Sequence, residues 1–168
     1  MRLRPIDKQI YARRYRIVFA AIVAALIIIS LSVSALLIRW FGSEQGSNFW
    51  LNLAGVGFAG LTVSWVIYRL RQHPWLDEVV YVWQLKQQLN RIYRKQRHIE
   101  PLVEQNDHQA IVIMNYMYQG SRQLFELDDN TITMEDLALK INALNSRIES
   151  LGLRVSSDDY SPQMLDRY

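Results

Sequence analysis

Two long apolar runs without a charged residue, Ile17 to Ile38 and Phe49 to Tyr68, lie near the start of this chain and are separated by only ten residues. At about 1.5 Å rise per residue, a helix of either length spans the roughly 30 Å hydrocarbon layer of a bilayer. Inside lipid every backbone donor and acceptor must be satisfied within the segment, and two isolated strands could not close a barrel. Both runs are therefore expected as helices, joined into a two-helix transmembrane hairpin. The first run could also be read as a secretory signal, because Val33-Ser34-Ala35 has the small residues of a cleavage site. A signal's apolar stretch is about 7 to 15 residues, however, and this one continues through Leu36, Leu37 and Ile38.

Flanking charge sets the expected orientation. Arg2, Arg4, Lys8, Arg13, Arg14 and Arg16 precede the first span, Arg39 alone lies between the spans, and Arg69, Arg71, Lys86, Arg91, Arg94, Lys95 and Arg97 follow the second. This asymmetry places both termini in the cytoplasm and the 39–48 loop outside. Trp40, Phe41, Phe49 and Trp50 at one boundary, and Trp65, Tyr68 and Trp75 at the other, suit the two membrane interfaces. The expected division is a basic N-terminus over 1–16, spans over 17–38 and 49–68, a cytoplasmic helical domain over 69–152, and a flexible tail over 153–168.

Apolar side chains gain little by meeting one another in lipid, so pairing of spans relies on close approach at small residues. The first span offers Ala21, Ala25, Ser32 and Ala35; the second offers Gly55 with Ala59 and Gly60 with Ser64. These faces are expected to pack within the hairpin or between copies. Asn52 lies within a turn of the outer boundary and reads as an interfacial amide. Neither span carries the ionisable group that a conducting or proton-relaying path normally requires.

The domain reads as a bundle of about three helices, which makes the whole chain all-α. His73-Pro74 interrupts the helix leaving the membrane. Val82, Leu85, Leu89, Ile92, Gln96 and Ile99 then form one stripe on a helix from Trp75 to about His98. Asp107 is the expected N-cap of a second helix, His108 to Leu127, whose broad apolar surface makes it the central one. Gly120 within it suggests a close helix crossing. Asp128-Asp129-Asn130 reads as a turn, lacking the spacing of a calcium loop. Thr133 opens the third helix, on which Leu137, Ile141, Leu144, Ile148 and Leu151 keep a narrow 4-3-4-3 seam up to Gly152. Such a seam suits either an intramolecular neighbour or a partner helix.

Charge divides the domain. Residues 69–98 carry seven Lys or Arg against Asp77 and Glu78, whereas residues 99–168 carry five against twelve acids. Lys86, Arg91, Arg94, Lys95 and Arg97 gather on the first domain helix, with a solvated face meeting the acidic half as the plainest account. Contact with anionic lipid headgroups is the functional alternative. Nucleic acid is disfavoured, because no recognition motif accompanies the cluster. The chain has no Cys, and His73, His98 and His108 lack paired ligand spacing, so neither a metal nor a cofactor is expected. No phosphate-cradling loop, nucleophile motif or metalloprotease motif occurs, and Glu135-Asp136 sits at a helix start where the dipole favours acids. No catalytic residue is assigned, and an enzyme is not expected.

The segments LRPIDK (Leu3 to Lys8), NFWLNLAGV (Asn48 to Val56), HPWLDEVVYVWQLKQQLNRIYRK (His73 to Lys95) and YQGSRQLFELDDNTIT (Tyr118 to Thr133) carry a resemblance. Over the chain up to about Leu137 it resembles an uncharacterised family of short proteobacterial two-span inner-membrane proteins, defined only as a domain of unknown function. The resemblance implies a bacterial inner membrane and no activity. The resulting expectation is a non-enzymatic self-assembly or protein-interaction module, whose partner is itself or another helical protein. The alternative is a membrane-bound sensor or regulator that binds anionic lipid or a small anion through the basic helix.

Overall fold

The computed structural model describes residues 2–43, 46–130 and 132–168, and it is all-helical. The main helices are α1 (Lys8–Phe41), α2 (Phe49–Leu70), α3 (Asp77–Glu104), α4 (His108–Leu127) and α5 (Met134–Ser150), with three short 3-10 segments. They divide into two compact units: one is Gln9–Val79, and the other combines the N-terminal residues up to Lys8 with Val80–Tyr168.

In the first unit, α1 and α2 are each long and apolar enough to cross a membrane. Helix α1 begins at Lys8, so its basic residues up to Arg16 form helical turns continuous with the apolar run. Arg14 pairs with Glu78, and its guanidinium lies 5.7 Å from the Trp75 ring centroid, so cation–π attraction supplements the ion pair. The two helices meet where Gly55, Ala59 and Val63 of α2 are buried and Ser34 of α1 is buried with them. Without a side chain at Gly55, the Ser34 hydroxyl can approach α2, donating to the Asn52 carbonyl at 3.4 Å. Of the small residues expected at this crossing, Gly55 and Ala59 are in it. Ala25 is half-buried, whereas Ala21, Ser32, Ala35 and Ser64 are exposed, and Gly60 faces open space. The α1 side of the contact is instead Ser30 and Ser34, because the rotation of one helix against the other is set by where both can approach. The Asn52 side chain is exposed; its backbone carbonyl makes the contact.

In the second unit, α4 is central. Asp107 caps it by accepting the Ala110 amide at 2.9 Å, and Ile111, Ile113, Met114 and Tyr116 are fully buried along it. A Cβ at Gly120 would lie 3.1 Å from Leu89 Cδ2 and 3.3 Å from Leu85 Cδ1, so this glycine marks the close α3–α4 crossing expected from its position. Helix α3 continues a turn beyond the expected stop, through Pro101 to Glu104. A proline inside a helix costs roughly 3 kcal/mol, and burial of Ile99 with half-burial of Leu102 and Val103 offsets it. Arg147 of α5 then holds the end of α3 by donating to the carbonyls of Val103 and Glu104 and to Asn106 Oδ1.

Helix α5 lays Leu137, Ile141 and Leu144 into the domain, each buried, with Ile148 half-buried and Leu151 exposed. Of the two uses the seam suits, an intramolecular neighbour and a partner helix, the fold takes the first for most of its length. Gly152, at φ 63°, ends α5, and the Leu153 amide bonds back to the Ile148 carbonyl at 3.1 Å.

Residues 153–168, expected as a loose tail, are instead packed. Tyr160 and Leu165 are each 4% exposed, and burying a side chain of leucine size contributes about 1.5–3 kcal/mol. The Tyr160 ring stacks on Tyr116 at 4.1 Å between centroids. Polar tethers follow: Gln88 donates to the Tyr160 hydroxyl, Lys95 to the Leu165 carbonyl at 2.7 Å, and Gln109 to the Met164 carbonyl at 3.0 Å. Scattered apolar residues among Ser and Asp carry no periodicity, which is why this segment reads as disordered.

Candidate functional site

The N-terminal residues before α1 are held against α3 and α4 by a closed ring of hydrogen bonds. The Arg4 amide donates to the Tyr81 hydroxyl at 3.0 Å, that hydroxyl donates to Gln123 Oε1 at 3.0 Å, and Gln123 Nε2 donates to the Arg4 carbonyl at 2.5 Å. The Arg4 guanidinium also lies 4.6 Å from the Tyr81 ring centroid. Each group in the ring serves as the next one's partner, so the strap is fixed by backbone atoms and not by side-chain packing alone.

This strap forms one wall of an open, mainly polar cleft of about 510 Å³. Leu3, Arg4 and Pro5 contribute from the strap; Asn115, Gln119, Arg122, Gln123 and Glu126 from α4; Asn145 from α5; and Val155 and Ser157 from the C-terminal segment. The α4 residues recur at helical spacing and make a polar stripe opposite the helix's apolar surface. That stripe is visible in the sequence, but the broad apolar pattern on α4 hides it. Asn115 is only 7% exposed, and no hydrogen-bond partner for its amide is found among the described residues.

The basic helix separates into two groups. Lys86 pairs with Asp128 at 2.8 Å, and Lys95 is committed to Leu165. Arg91, Arg94 and Arg97 are exposed, and none has a carboxylate ion-pair partner among the described residues. Their spacing of three residues keeps them on one side of α3.

The stacked tyrosines lie deeper. Burial pushes the Tyr160 phenol up to about 12, and burial likewise raises that of Tyr116, whose hydroxyl has no hydrogen-bond partner among the described residues. Both are neutral at physiological pH and serve packing. Among the described residues no group of three or more His, Asp or Glu side chains is arranged to hold a metal ion.

A family model described as "Protein of unknown function (DUF3087)" matches residues 1–165. The chain belongs to that family. The match extends past Leu137 to the C-terminal segment, so the family spans strap, hairpin, bundle and packed tail alike. No curated protein and no solved structure matches the chain.

Proposed function

We propose that this family member is a non-enzymatic membrane-bound regulator. Its hairpin anchors it in the bacterial inner membrane with both termini cytoplasmic, and its helical domain binds anionic groups through α3. The anchoring rests on one observation: the most apolar window of α1 is only 6% buried and that of α2 only 17%. A helix of such composition in a soluble core would be covered by protein. Here Leu31, Leu61, Phe58 and their neighbours stand exposed, and lipid is the solvent that suits them. The six basic residues before Ile17 and the seven within residues 69–98, against one between the spans, support the orientation.

Because the native chain has no cysteine, single replacements test topology directly. Ser47→Cys should react with a membrane-impermeant maleimide in intact spheroplasts, and Ser146→Cys only after lysis. Reversed labelling would overturn the orientation, and recovery of the protein in the soluble fraction would overturn the anchoring.

The exposed guanidinium face of Arg91, Arg94 and Arg97 supports the choice of anionic partner. Near a membrane surface a basic residue gains about 1 kcal/mol from anionic lipid. Hydrogen exchange over residues 90–98 should slow when the full chain is moved from phosphatidylcholine nanodiscs to nanodiscs that include phosphatidylglycerol. Replacing the three arginines by Gln should erase that difference.

Self-association is a second reading, favoured by Ile132 and Leu139, which are 91% and 70% exposed on the domain. The mass of the detergent-solubilised protein by light scattering separates the readings: a multiple of 19.8 kDa supports association, and a monomer opposes it.

A further inference from the structure

We propose that the cleft between the N-terminal strap, α4 and α5 is a binding site for a small organic anion bearing a carboxylate or phosphate group. This site uses different residues from the α3 arginine face and does not depend on whether the helices cross a membrane.

The lining sets the chemistry. Arg4 and Arg122 are the cations and Glu126 the single acid among the cleft residues, so the lining carries a net positive charge. Arg4 is held in place by the Tyr81–Gln123 ring and by its stacking over Tyr81, which fixes its backbone and restrains its guanidinium before any ligand arrives. The nearest oxygen of Glu126 is 3.8 Å from Arg122, and both side chains are largely exposed, so this pair is weak and an incoming anion competes with it. Guanidinium groups recognise carboxylate and phosphate through paired charge-assisted hydrogen bonds.

Asn115 points to a ligand independently. The residue is only 7% exposed, its amide makes no hydrogen bond with the described residues, and what remains accessible of it opens on the cleft, where the amide can meet a ligand. It lines the cleft, where it can donate to an anion's oxygen or accept from a hydroxyl on the ligand body. Gln119, Asn145 and Ser157 add uncharged donors around it, while Leu3, Pro5 and Val155 give apolar contact. A cleft of about 510 Å³ falls within the usual size of small-molecule sites.

The test is calorimetry and thermal unfolding on the full chain in neutral detergent. Citrate and inorganic phosphate are the probes, with sodium chloride at matched ionic strength as the reference. Saturable binding above the chloride reference, with a raised unfolding temperature, is expected. A response to citrate alone identifies a carboxylate ligand, and a response to phosphate alone a phosphorylated one. Arg122→Gln, at an exposed position, should weaken binding by about tenfold or more through loss of a charge-assisted bond. Asn115→Leu should reduce the anion-induced rise in unfolding temperature. The measurements are made in the triple Gln variant of Arg91, Arg94 and Arg97 as well, which removes the α3 face as a competing anion site and leaves the cleft alone to be read. No saturable binding of either probe once the α3 arginines are replaced, or binding there that Arg122→Gln leaves unchanged, would each overturn the proposal.

Discussion

A Cβ placed on Gly55 would lie 2.9 Å from the backbone nitrogen of Ser34 and 3.0 Å from the Ser30 carbonyl oxygen, so the approach of α2 to α1 depends on that glycine having no side chain. Backbone atoms cannot move aside as a flexible side chain can. Gly55→Val should therefore force the helices apart and lower the unfolding temperature of the detergent-solubilised protein. Gly57→Ala is the control, because nothing lies within 4 Å of its added Cβ. It should be neutral or slightly stabilising through helix propensity. Equal effects of the two changes would show that the crossing is not what holds the hairpin.

The strap should be releasable without unfolding the bundle. Tyr81→Phe keeps the buried ring but removes the hydroxyl that accepts from Arg4 and donates to Gln123. A loss of about 1–3 kcal/mol is expected, read as faster hydrogen exchange over residues 2–7. Helical circular dichroism should be unchanged. Protection of the strap in the variant would show that the ring is dispensable.

Leu144 is 6% exposed and faces the domain interior. Leu144→Asp should leave an unpaired charge in that seam and destabilise the unit by about 3 kcal/mol or more. Circular dichroism and limited proteolysis would register loss of the domain. A folded protein that merely changed its association state would instead restore the seam as an intermolecular surface.

Acid should weaken the tie between the start of α4 and the C-terminus. The Ala110 amide, and beside it the Arg167 guanidinium at 2.9 Å, hold the Asp107 carboxyl below its ordinary value of 3.8. A depressed folded-state value means that this contribution is complete above the unfolded value and is lost as pH falls through the folded one. Asp107→Asn should flatten the stability profile below about pH 4 and cost at most about 1 kcal/mol near neutrality, through the lost ion pair with the exposed Arg167, because asparagine caps a helix about as well as aspartate. Chemical denaturation across that pH range measures both.

At the alkaline end the sign reverses. Burial raises the Tyr160 phenol to about 12, so the folded state favours the neutral form. That contribution is present below the unfolded value of 10.0 and declines as pH rises from there toward 12. Tyr160→Phe should reduce the alkaline slope without abolishing it, since burial also raises the Tyr116 phenol, while retaining the ring stacked on Tyr116. Absorbance titration of the phenolate, followed alongside circular dichroism, would reveal whether ionisation and unfolding coincide.

Run length and apolar content alone determined that residues 17–38 and 49–68 are helices, and 3.6-residue periodicity with Asp107, Gly152 and His73-Pro74 as punctuation determined the three helices that follow. These signals are local: they depend on backbone hydrogen bonding and on which side of a single helix is apolar. Tertiary structure decided the rest. It chose Ser30 and Ser34 as the face that meets Gly55, turned the Leu137–Leu144 seam inward, and carried α3 past Pro101. It also folded Tyr160 and Leu165 onto the bundle, and joined Arg4 to Tyr81 and Gln123 across most of the chain. Each of these depends on the rotation and approach of elements far apart in sequence, where packing and the satisfaction of polar groups choose among alternatives that periodicity leaves equal. The cleft belongs to this second class, since its lining is contributed by four separate segments that only the fold brings together.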